Sequence, residues 1–264
     1  MKLVRNLIDA IKRDKTYLVV AIITVILIAV MMKSHRWVAA PQIERLPLSM
    51  TLPDFTTYDT VDEKKSAFFE FLMPYIRQEN QRIRYDRAFL ESIENELDKN
   101  VHHQRASLRK LRKLANRYKV EMKDIDSTIA KLKLRVDIIP MSLVLVQAAN
   151  ESAWGTSRFA RQANNLFGQW CYAKGCGLVP SGRDDGARHK VRVFETPKAS
   201  IVSYMRNLNT HAAYQSFRKI RAELRSNGRQ ITGIKLAEGL KNYSERRGEY
   251  VRELVTMIEQ NDLE

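Results

Sequence analysis

The sequence predicts an α+β fold that is predominantly helical, and three features carry that expectation. Only 10 Gly and 7 Pro occur among 264 residues, so most of the chain lacks the residues that break helices. Beyond residue 62, apolar side chains recur mostly at spacings of three and four, the mark of helices with one buried face. A single stretch, His189 to Glu195 (HKVRVFE), alternates as a strand does, and SGRDDG just before it signals a turn. The sheet is therefore expected to be one small β excursion. With 44% hydrophobic and 28% charged residues, the chain can bury one sizeable domain and carry an extra segment.

The N-terminus is different in kind. Tyr17 to Met32 is an uncharged run, with Lys12, Arg13 and Lys15 before it and Lys33 and Arg36 after it. As a helix it would span roughly 24 Å against a hydrocarbon core of about 30 Å, a gap that snorkelling lysines and local thinning can close. Residues 1–16 are then a cytoplasmic N-terminus, by the excess of positive charge before the run, and 17–32 a transmembrane anchor. A cleaved signal peptide is the rival, but Pro41 follows its best small-residue site, Val38-Ala39-Ala40. A buried core helix is a third reading, opposed by the flanking charges. The anchor implies a single-pass protein of the inner membrane with the rest of the chain in the periplasm. Residues 33–62, with Pro41, Pro47 and Pro53, are expected to be an extended linker.

From 63 to 133 a helical subdomain, or an arm packed on the main domain, is predicted. Phe68, Phe71, Leu72, Tyr75 and Ile76 share one helical face, Phe89, Leu90, Ile93 and Leu97 another, with Pro74 expected to kink or interrupt the first. Leu108 to Tyr118 and Ile125 to Leu132 make two further helices. No chemistry is assigned to this arm. Residues 134–264 form the second, mostly helical part. Pro140 suits the start of a helix whose Leu143, Val144, Leu145, Val146, Ala148 and Ala149 are apolar nearly all round, so it belongs in the centre of a core. Helical spacing resumes from Ile201 to Leu208, through Tyr214 to Leu224, and from Val251 to Ile258.

The net charge of +15 favours a polyanionic partner, and export weakens the nucleic-acid reading in favour of an acidic wall polymer or anionic lipid. Cys171 and Cys176 are either a local disulfide or two thiols, and an oxidising compartment favours the disulfide. The five histidines show no paired metal spacing, so neither metal nor cofactor is expected.

Glu151 is the informative carboxylate. It ends the apolar helix, and an acid buried there has its charged form disfavoured, so it can stay protonated and donate to a leaving-group oxygen. The plain alternative is a carboxylate that caps the helix or pairs with a cation.

Glu151-Ser152-Ala153-Trp154-Gly155-Thr156-Ser157, followed by Asn164-Asn165-Leu166-Phe167-Gly168, resembles the paired signature of the glucosaminidase family of cell-wall hydrolases. LPDF at 52–55, KKSAFFEFLMPYI, RVDIIP and LNTHAAYQSFRKIRAELR extend the resemblance over residues 52–264. It implies a lysozyme-like domain at 134–264 that cleaves peptidoglycan after N-acetylglucosamine, with Glu151 as the general acid. It also implies that Asn164, Asn165 and Phe167 shape the cleft and that one of Tyr243 and Tyr250 lines it, Tyr243 being the preferred one. Trp154, Trp170 and Tyr204 are candidates to face sugar rings, with a place in the core at least as good a reading for Tyr204. For a second catalytic carboxylate the β excursion offers Asp184, Asp185 and Glu195, with Asp185 preferred; otherwise the substrate's N-acetyl group could serve. Two other functions compete: a muramidase or lytic transglycosylase on the same fold, and a wall-binding scaffold without activity. Glycan strands of peptidoglycan and the inner membrane are the expected partners.

Overall fold

The computed structural model describes residues 22–24, 49–98, 105–180, 186 and 188–264, the side chains of 95–98 excepted. The chain divides into two compact units, Met1–Gln42 and Ile43–Glu264. In the first, residues 22–24 are helical and exposed, and the remainder of the expected anchor at 17–32 lies outside the described residues. Among the described residues no helix is long and apolar enough to cross a membrane.

The second unit opens with residues 49–60, which sequence places in a linker but which pack against the helices that follow. Phe55 is buried and meets Phe68 and Phe71 edge-on at 5.3 and 6.2 Å. Helix α1 (Val61–Asp98) starts at a reciprocal cap: Glu63 N–H donates to Thr60 Oγ1, and Thr60 N–H donates back to Glu63 Oε2, both at 3.2 Å. Pro74 lies inside α1 and does not end it. A 38-residue helix packed along its length tolerates one missing backbone donor, because burial of Phe68, Leu72, Ile76, Ile83, Leu90 and Ile93 contributes roughly 1.5–3 kcal/mol each.

Helices α2 (Arg105–Arg117) and α3 (Ile125–Arg135, capped by Asp124) complete the arm. The arm is no separate lobe. Its Leu111, Leu114, Ile129 and Leu132 belong to the same core as α4 (Met141–Ser152) and the helices beyond it.

The segment between α3 and α4 is stitched by buried polar groups. Asn80 bridges both backbone groups of Ile139 at 2.7 and 3.0 Å. Arg221, itself buried, donates to the carbonyls of Asp137 and Ile138. The Asp137 carboxylate takes both prongs of Arg225 at 2.6 Å, with Arg87 at 3.4 Å. These cations hold its pKa below the usual carboxylate value, against the opposing effect of burial. Helix α4 therefore enters the core along a fixed line.

After α4 come α5 (Arg158–Ala163) and a three-stranded antiparallel sheet of very short strands, β1 (Trp170–Cys171), β2 (Gly177–Leu178) and β3 (Lys190–Arg192), in the order β1-β3-β2. Only β3 was legible in the sequence. A disulfide joins Cys171 to Cys176 and closes the loop between β1 and β2. Helices α6 (Pro197–Thr210), α7 (Gln215–Ser226), α8 (Gly233–Ala237) and α9 (Gly248–Gln260) finish the unit, and α9 packs on both α4 and α8.

Candidate active site

Glu151 stands in the last turn of α4, and the residues after it explain why the helix stops there. Ala153 and Trp154 both adopt left-handed backbone, with φ of 51° and 58°, a conformation that costs a non-glycine residue on the order of 1 kcal/mol or more. The fully buried Ser152 closes this turn: its hydroxyl donates to Ala148 O at 2.6 Å and accepts from Gly155 N–H at 2.8 Å. Gly155 has φ of 78°, and a Cβ there would stand 2.5 Å from the Phe55 ring. Ser157 caps α5 through Ala160 N–H. The residue types of ESAWGTS thus describe a tight reversal that leaves Glu151 at the edge of the core.

The second motif forms the wall facing that acid. Asn164, at φ of 50°, ends α5 and donates to the carbonyls of Met50 and Phe194. Asn165 holds the loop in shape, accepting from Gln169 N–H at 3.0 Å and donating to the carbonyls of Gln169 and Arg192, both at 2.9 Å. Phe167 stacks on Tyr204 with ring centroids 3.9 Å apart. These interactions carry Gly168 up to Glu151, where a Cβ would lie 3.8 Å from Oε2.

Glu151 is half-buried. Its Oε1 accepts a 2.9 Å hydrogen bond from the Tyr250 hydroxyl. Tyr250 in turn accepts from Gln147 Nε2 at 2.9 Å, and the Tyr204 hydroxyl donates to Gln147 Oε1. The order of donors is set by chemistry: Gln147 Oε1 is occupied by Tyr204, so its amide must donate to Tyr250, whose proton then points at Glu151. Burial pushes the Glu151 pKa up, while the Tyr250 bond and the Arg246 charge pull it down, and the former prevails. Arg246 is held by Glu253 at 2.7 Å. Burial likewise raises the hydroxyls of Tyr204, Tyr243 and Tyr250, which stay protonated as donors.

Not all of the nominated residues meet here. Tyr243, preferred from sequence, does not touch Glu151 through its hydroxyl, which donates to Phe167 O at 3.1 Å while its ring stacks on Tyr250 at 5.5 Å. The acid's partner is Tyr250, because α9 turns that side chain toward α4. Asn164, Asn165, Phe167 and Tyr204 are buried, so the first three shape the loop and Tyr204 supports it from α6 rather than facing solvent. Trp154 leans on α1, with Phe69 at 5.2 Å and Phe68 at 5.8 Å, and the Lys65 ammonium lies over its ring. Trp170 is 59% exposed, stacked on His189 at 4.3 Å. Glu195 is exposed; Asp184 and Asp185 lie outside the described residues. Gln147 was missed. The available signal was a glutamine amid the apolar run of the helix, one turn ahead of Glu151 and on its face.

No group of three or more His, Cys, Asp or Glu among the described residues could hold a metal ion. A carboxyl whose protonated form is favoured by burial suits the general acid of a glycoside hydrolase. The comparisons agree with that class. The chain belongs to the glucosaminidase family, since residues 126–263 match the family described as mannosyl-glycoprotein endo-beta-N-acetylglucosaminidase. It is also 38% identical over 215 residues to Protein bax of Escherichia coli (strain K12), a match covering 81% of this chain and 75% of that protein. No solved structure matches it.

Proposed function

We propose that this protein is a peptidoglycan hydrolase that cleaves the glycosidic bond after N-acetylglucosamine, with Glu151 as the general acid. The observation that carries the reading is the Tyr204–Gln147–Tyr250–Glu151 chain ending on a carboxyl whose pKa is raised by burial. Tyr250 engages Oε1, so Oε2, beside the side-chain-free Gly168, carries the proton to the leaving-group oxygen. As the carboxylate forms, the hydrogen bond from Tyr250 strengthens and stabilises it. Trp170 offers an exposed ring for a sugar face. The opposite-face role falls to Asp185 or to the substrate's N-acetyl group; Asp185→Asn abolishes turnover only in the first case. The family membership supports the glycosidase class. The uncharged run at 17–32 supports attachment to the inner membrane with the enzyme in the periplasm.

The test is a peptidoglycan gel run with wild type and Glu151→Gln, with mass spectrometry of the soluble products. Clearing by wild type alone, with N-acetylglucosamine at the new reducing ends, is expected. Anhydromuramyl ends would assign the protein to the lytic transglycosylases instead, and clearing by both forms would remove Glu151 from the mechanism.

A further inference from the structure

A second feature lies beyond the sheet side of the Gly168 loop. A cavity of about 420 Å³ is walled by Arg117 from the end of α2, Lys119 from the turn after it, Arg192 from β3, Arg206 from α6, and Gln169 and Trp170. The cations come from three separate parts of the chain, and among the described residues no carboxylate lines the cavity. Arg117 reaches Asp86 at 3.3 Å, but Asp86 is already engaged by Arg82 at 2.6 Å, so excess positive charge remains. The walls are held in place. Gln169 is tied to α6 at both ends, by Ser203 Oγ at 2.7 Å and Ser200 O at 3.1 Å. The turn bearing Lys119, at φ of 55°, has its Tyr118 and Lys119 carbonyls bound by Arg135 at 2.7 Å each. Gln169 follows Gly168 directly, so the cavity begins one residue from the wall of the acid's site.

We infer that this cavity is a subsite for the carboxylates of the wall's stem peptides, engaged while Trp170 meets the glycan. The inference rests on the hydrolase reading for its choice of polymer. Charge complementarity supplies the reason: peptide-bearing glycan presents carboxylates beside sugar rings, and the cavity presents four cations beside an exposed indole. It also gives the helical arm a role. Arg117 and Lys119 precede residue 126, where the family match begins, so half of the cations come from the segment to which sequence assigned no chemistry.

The full chain carrying Glu151→Gln, which separates binding from turnover, is measured against purified sacculi and against the same sacculi with their stem-peptide carboxylates capped as neutral amides by a carbodiimide and ethanolamine. Uncapped glycan should bind about tenfold tighter, and that preference should shrink as salt is raised to about 0.5 M. Adding Lys119→Gln and Arg206→Gln should abolish the preference, and Lys119→Arg with Arg206→Lys should restore it, which a folding defect would not allow. The inference is overturned if there is no preference, or if the preference survives charge removal. It is also overturned if the double Gln variant loses binding only to phosphatidylglycerol vesicles, which would make the cavity a lipid headgroup site. Failure of the unsubstituted protein to clear a peptidoglycan gel would sink the hydrolase reading instead, and the binding comparison does not depend on that result.

Discussion

Replacing Tyr250 by Phe removes one oxygen and tests the core of the proposed mechanism. That oxygen donates to Glu151 Oε1 and accepts from Gln147 Nε2, both at 2.9 Å. A hydrogen bond to a charged group is worth about 1.5–3 kcal/mol, so the ionised Glu151 loses roughly 10- to 150-fold in stabilisation. With proton transfer about half complete in the transition state, the plateau rate should fall roughly 3- to 12-fold. The pH profile should move as well. The Tyr250 bond lowers the Glu151 pKa, so its loss raises that pKa further. Activity needs the protonated acid and falls as pH rises through its pKa, so the alkaline limb shifts to higher pH. Tyr243→Phe is the matched control, because it loses only a bond to the Phe167 carbonyl and should leave the limb in place. The assay is release of reducing ends from soluble glycan strands between about pH 4 and 9, in the range where carboxyl groups titrate. An unmoved limb in Tyr250→Phe, or a limb moved by Tyr243→Phe instead, would refute the reasoning and return the role to Tyr243.

Three further expectations concern stability. Asp137→Asn leaves the buried Arg221 and the flanking Arg225 and Arg87 without their carboxylate, and should cost about 3–5 kcal/mol in urea unfolding at pH 7. Because the folded pKa of Asp137 is depressed, its contribution is present above the unfolded value of about 3.9 and is lost as pH falls through the folded value, so the gap between wild type and variant should close in acid. Gly155→Ala sets a Cβ at positive φ and 2.5 Å from the Phe55 ring, and a loss of about 2–4 kcal/mol is expected by thermal unfolding, whereas an unchanged Tm would mean that the turn relaxes freely. Glu151→Gln should remove activity yet raise Tm at pH 7. The folded state holds the Glu151 proton to higher pH than the unfolded chain does, so the ionised acid opposes folding above its unfolded pKa and the neutral amide relieves that opposition. A lower Tm for Glu151→Gln would contradict the burial argument.

Much of the candidate site could be read from the one-dimensional pattern. Helical periodicity, the apolar helix ending at Glu151 and the glycines at 155 and 168 are local properties, and local properties leave marks at fixed spacings. The paired motifs were legible through their family resemblance, and each closes on itself: Ser152 bonds Ala148 and Gly155, and Asn165 bonds Phe167 and Gln169, all within four residues. What sequence could not decide was pairing across the chain. Tyr243 and Tyr250 are seven residues apart, and Tyr243, the one preferred from sequence, is not the one bonded to Glu151. Only the packing of α9 on α4 turns Tyr250 toward an acid 99 residues away. Whether the arm stands apart or packs on the main domain was open on paper, and its buried row lies in the common core. The cationic cavity gathers residues from 117 to 206, and such convergence has no periodicity to betray it. Residue types and spacings, together with the family resemblance of the two motifs, nominated Glu151; the tertiary structure decided what bonds to it, because long-range contacts are made by elements that only the fold brings together.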